Sequence, residues 1–131
     1  MKKMAWITAL ALGASIGSPA PASADGSELL RNCENLLRYV DEDSSSASQE
    51  VQVRALTCSS YLSGVLDTHG LYAAYSQQQG STPLLCLPAD IDVLEVAGVV
   101  VRYLSSNPET LDRFEGSLVF LALLESFSCG G

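Results

Sequence analysis

Beyond residue 24 the chain contains no lysine. Its basic groups there are five arginines (Arg31, Arg38, Arg54, Arg102 and Arg113) against fifteen acids, a formal net charge of −10. Such a surface repels nucleic acid and anionic lipid, which excludes both as partners. It is drawn instead to basic partners, although net acidity also serves ordinary solubility. Histidine is scarce as well: His69 is the single one, and Asp67, two residues away, lies on a different side of a helix and cannot orient it. A lone histidine on an apolar stripe reads as structural. The chain has no glycine-rich phosphate loop, and its cysteines, Cys33, Cys58, Cys86 and Cys129, stand 25, 28 and 43 residues apart, which matches no compact zinc pattern. With no activated nucleophile, no base pair and no metal set, the sequence predicts neither an enzyme nor a cofactor.

Long apolar runs are missing too. Met4 to Ile16 is apolar but too short to span a bilayer, which takes about 20 residues. Lys2 and Lys3 precede it, and Ala22-Ser23-Ala24 offers a small-x-small cleavage site. Together these read as a signal peptide over residues 1–24, with Asp25 as the mature N-terminus and a periplasmic destination. No cysteine follows the cut, so no lipid anchor is expected. The remaining 107 residues are expected to form one domain over 25–131. In an oxidising compartment the four cysteines imply two disulfides, and three pairings are open. The polar loop from Ser76 to Leu85 can run back along the second helix, which favours Cys58 with Cys86 and Cys33 with Cys129.

The apolar spacing is helical throughout, predicting an all-α bundle of about four helices. Ser27 caps the first, whose stripe is Leu29, Leu30, Cys33, Leu36, Leu37 and Val40. Asp41-Glu42-Asp43 ends it, three acids opposing the macrodipole. Ser46 and Gln49 have capping-box spacing for the second helix. Its stripe runs Val51, Ala55, Cys58, Leu62, Val65, His69 and Tyr72, and Gly64 within it suggests the close approach of another backbone. Ser76 to Pro83 is polar and turn-rich. Asp90 is the expected cap of the third helix, with Ile91, Leu94, Ala97, Val101 and Leu104 inward. Asn107-Pro108 is expected to start the fourth, carrying Leu111, Phe114, Leu118, Leu121 and Leu124.

Four signatures stand in order: Cys58-x-x-Tyr61-Leu62-x-Gly64-Val65-x-Asp67; Cys86-Leu87-Pro88; Val99-Val100-Val101-Arg102-Tyr103-Leu104-x-x-x-Pro108; and Leu121-Ala122-Leu123 running to Phe127-x-Cys129. As a set they resemble the Rap/Tai family of exported immunity proteins, over nearly the whole chain after residue 24. Ser60 and Ser128 depart from the family's usual glycine and proline. The resemblance implies a small disulfide-bearing helical bundle. It also implies a periplasmic protein that neutralises a peptidoglycan amidase delivered by type VI secretion.

The partner expected on that reading is a cognate amidase effector. The exposed turn Gln77, Gln78, Gln79, Ser81 and Thr82 is the candidate plug for its groove, because exposed loops on rigid scaffolds carry binding residues. Asp41, Glu42 and Asp43 are the candidate steering charges toward a basic groove. Apolar residues on more than one side of the fourth helix predict a homodimer. The competing reading is an acid-activated periplasmic stress chaperone, which would also be short, acidic, helical and disulfide-bonded.

Overall fold

The computed structural model describes residues 25–42 and 44–130. The leader expected over residues 1–24 and the acid Asp43 lie outside the described residues. Among those described, four α-helices and two short 3₁₀ turns make the fold: α1 (Gly26–Asp41), α2 (Gln49–Gln78), α3 (Val93–Ser106) and α4 (Glu115–Phe127). No helix among them is long and apolar enough to cross a membrane. The all-α bundle is therefore as the spacing predicts.

The first helix begins two residues before its expected cap. Asp25, not Ser27, is the N-cap, and its carboxylate accepts from the Glu28 N–H at 3.1 Å. The reason is tertiary. Gly26 N–H donates to the Arg113 carbonyl at 3.1 Å and Ser27 N–H to that of Leu111 at 3.2 Å, so the first donors of the helix are satisfied by a distant segment. A side chain at position 26 would stand 3.0 Å from the Leu111 Cα, which explains the buried glycine. Leu29, Cys33 and Leu36 then face the core.

Ser44–Ser46 forms a single 3₁₀ turn, and Ser48 caps α2 by accepting from Val51 N–H at 3.3 Å. At a rise of 1.5 Å per residue, the 30 residues of α2 reach about 45 Å, whereas the 16 residues of α1 reach about 24 Å. The far half of α2 therefore runs past α1. Burial follows this geometry: Ala55, Cys58 and Leu62 are buried, but the stripe does not stay inward to Tyr72 as its spacing suggests, because Tyr72 is exposed.

α3 packs against α1, α2 and α4 and is the centre of the bundle. Asp92 caps it, accepting from Glu95 N–H at 2.8 Å, two residues after the expected Asp90. Contact on several sides buries a broad arc, Val96, Ala97, Val99, Val100 and Leu104, while Leu94 turns outward. The β-branched run is helical because burial against three neighbours outweighs its strand propensity. Pro108–Thr110 makes only a 3₁₀ turn, not the start of the last helix. The chain breaks over residues 111–114 so that its carbonyls can meet Gly26 and Ser27, and α4 then buries Leu118, Val119, Ala122 and Leu123. Phe114, expected inward, is exposed.

The disulfides correct the expected pairing. Cys33 joins Cys58 with 5.1 Å between Cα atoms, and Cys86 joins Cys129 at 5.0 Å. The first staples α1 to α2 inside the core, where both cysteines are buried. The second fastens the connection after α2 to the end of α4, in register with Cys86 N–H donating to the Phe127 carbonyl at 2.8 Å and Cys129 N–H to that of Leu84 at 3.1 Å. Closing spans of 25 and 43 residues contributes about 3.5 and 4 kcal/mol in the chain-entropy account.

Candidate interaction surface

The glutamine turn sits at the tip of the projecting half of α2. Gln77 and Gln78 are in its last turn rather than in a loop, and Gln79 is the C-cap. Gly80 takes a positive φ of 68°, which reverses the chain at no steric cost for glycine. Ser81 donates to the Ser76 carbonyl twice, from N–H at 2.9 Å and from Oγ at 3.1 Å. The side chains of Gln77, Gln78, Gln79, Ser81 and Thr82 all reach solvent from this back-bonded turn. It is a rigid, uncharged knob.

The acidic residues Asp41 and Glu42 are exposed at the C-terminus of α1, which abuts the start of α2. The glutamine tip is at the other end of α2. The helix length puts roughly 45 Å between them, so the structure does not bring the two predicted sets together, and any one partner groove touches one or the other.

A further feature was not anticipated from the sequence. Between the far half of α2, the Leu84–Leu85 segment and α4 lies an open apolar groove of about 390 Å³, with Val65, Thr68, His69, Tyr72 and Phe120 on its walls. His69 is half-buried here, beside apolar side chains, and Asp67 is exposed on another side, as expected. A second, shallower hollow lined by Ser60, Tyr61, Gly64, Val65 and Thr68 continues the groove along α2. Among the described residues no other helix crosses at Gly64: a Cβ there would meet nothing within 4 Å. The signal that marks this region in the sequence is an absence, because Asp67 is the only charged residue between Arg54 and Asp90.

At the opposite edge of the hollow, α1 and α4 both begin with a carboxylate. Burial, and then the charge of Glu28, raise the Glu115 carboxyl above its ordinary value; burial, and then Glu115, raise the Tyr61 hydroxyl. Among the described residues no three of His, Cys, Asp and Glu gather as a metal site.

The family model described as Rap1a immunity proteins matches residues 25–129. The chain belongs to the Rap1a immunity protein family. The match spans all four helices and ends on Cys129, so both disulfides fall inside it. No curated protein and no solved structure matches the chain. Membership in the Rap1a family suggests protection against a type VI effector, and hence a cognate effector as partner. Two disulfides and this family are consistent with export.

Proposed function

We propose that this Rap1a-family chain, after loss of residues 1–24, is a periplasmic homodimer that binds a peptidoglycan amidase effector and occludes its substrate groove without turning anything over. The observation that carries the reading is the family match across residues 25–129. The shape supports it. The glutamine tip projects on a helix that outruns its neighbour, and its backbone is pinned by the Ser81–Ser76 bonds. A pre-ordered tip loses little freedom on entering a groove, so more of its contact energy appears as affinity. One disulfide holds α2 to α1, and the other fastens the connection that follows the tip to the end of α4.

The acids at the α1 end serve approach rather than contact. A net charge of −10 raises the association rate with a basic enzyme and makes it fall with salt. Replacing Gln77, Gln78 and Gln79 together by alanine leaves helicity unchanged and weakens inhibition at least about tenfold, or 1.4 kcal/mol. Undiminished inhibition by the triple variant removes the tip from the interface. In cells, periplasmic expression of a candidate amidase effector causes lysis that co-expression of the chain prevents. Equal lysis with and without it contradicts the proposal.

A further inference from the structure

Asn32 is a polar side chain where the fold otherwise places apolar ones. It stands beside Cys33 on α1 and is only 7% exposed. Asparagine is mostly a surface residue, and a buried amide is kept where its groups find partners. One partner is in place: Arg54 Nη1, on α2, donates to Asn32 Oδ1 at 3.1 Å. A guanidinium can only donate, so this bond fixes which end of the amide is the oxygen. Nδ2, the other end, donates to no protein atom among the described residues. It is not sealed away, because no fully buried side-chain nitrogen or oxygen among those residues lacks a partner. The opening is a hollow of about 440 Å³ between α1 and α2, which Asn32 lines together with Glu28, Gln49, Glu50, Arg54 and Thr57.

Charge narrows the occupant. Arg54 Nε pairs with Glu50 at 3.0 Å, the single ion pair among the described residues, so Arg54 brings no uncompensated charge to the hollow. Glu28, one helix turn before Asn32, has no ion-pair partner there. Asp25 sits on the same turn, accepting from the Glu28 N–H, and the charge of Glu28 reaches Glu115, whose carboxyl is raised first by burial and then by Glu28. The open donor calls for an oxygen, while the surrounding field repels an anion. A neutral carbonyl carried by a cation satisfies both. That combination is a basic residue within a polypeptide: its backbone oxygen accepts from Nδ2, and its side chain lies along α1 to Glu28. One helix turn is 5.4 Å, which the long stem of lysine or arginine covers. Arginine fits better, since its planar fork can take both oxygens of an unpaired carboxylate.

We infer that the hollow between α1 and α2 is a docking site for an arginine of a polypeptide partner, held by Glu28 through its charge and by Asn32 Nδ2 through its backbone carbonyl. The carbonyl takes the place of water on the amide, at little cost. The site is separate from the glutamine tip, since about 30 Å of helix divides Thr57 from Gln77. It stands whether or not that partner is an amidase.

The probe is the blocked tripeptide acetyl-Ala-Arg-Ala-amide, titrated to millimolar concentration into the isotope-labelled, oxidised chain from Asp25 onward. Heteronuclear NMR follows the Asn32 side-chain amide directly. The inference expects a saturable shift of that amide and of the backbone amides around it. Affinity falls at least about threefold when citrulline, which keeps the shape without the charge, replaces the arginine, and equally in Glu28→Gln, whose position is exposed. Asn32→Asp is the sharper variant. It keeps an acceptor for Arg54, and circular dichroism checks that it folds, but it exchanges the Nδ2 donor for a carboxylate oxygen. Binding followed on the backbone amides is expected to weaken in N32D although the site gains negative charge. Tighter binding by N32D marks a diffuse acidic patch and overturns the inference. An Asn32 amide that the arginine peptide leaves unmoved overturns it too, as do equal shifts with the citrulline peptide, or shifts with acetate but not with the peptide.

Discussion

Cys33 and Cys58 are sealed in the core, whereas Cys86 is exposed at the surface. Thiol exchange needs access to sulfur, so limited reductant opens Cys86–Cys129 first. Alkylation followed by mass spectrometry finds label on Cys86 and Cys129 before Cys33 and Cys58; simultaneous labelling of all four contradicts the structure. Glu115 gives a second residue-scale test. Its carboxyl is raised by burial and by Glu28, so ionising it costs the folded state more than the unfolded one. That cost is present above the raised value and gone below the ordinary carboxylate range, near pH 4. Thermal stability of the wild type therefore improves relative to Glu115→Gln as pH falls from 7 toward 4. A gap between the two that stays constant over that range contradicts the assignment. Leu62, fully buried where α2 faces the core, loses about 2–5 kcal/mol on change to alanine, measured by denaturant unfolding.

At the scale of elements, two glycines carry opposite expectations. Gly26→Ala pushes a Cβ against the Leu111 backbone and destabilises by about 1–3 kcal/mol. Gly64→Ala enters open space in a helix interior and stabilises the dilute chain by up to about 1 kcal/mol. Thermal melts of the two variants separate these cases, and a like sign for both contradicts the packing described. The helices themselves were legible because their apolar steps of three and four are local. Their caps were not: Asp25 wins over Ser27 only because Gly26 and Ser27 find carbonyls near Arg113, more than eighty residues away. The disulfide pairing was in the sequence but unread. Cys33 lies eight residues before the end of α1 and Cys58 nine after the start of α2, and residues equally distant from the turn of a helical hairpin face each other.

For the whole molecule, composition bears on the class of partner and topology on where it is met. Beyond residue 24, five arginines against fifteen acids oppose contact with nucleic acid, and that much is legible in the sequence. That Asp41 and Gln77 stand at opposite ends of α2 follows only from knowing that the helix is continuous across Gly64 and Gly70, two places where its propensity is weak. The apolar groove was hidden for the same reason, since a periodic stripe shows which side chains share a face but not whether another element covers them. Phe114 and Tyr72, read as core by spacing, are surface by topology. The central claim is that this surface stops an enzyme by binding it. Titrating the oxidised chain into a candidate amidase effector, with peptidoglycan hydrolysis as readout, tests that. The account predicts hydrolysis falling to background near one equivalent, with a stable complex on gel filtration. Full hydrolysis at a large excess of the chain, with no complex, would contradict it.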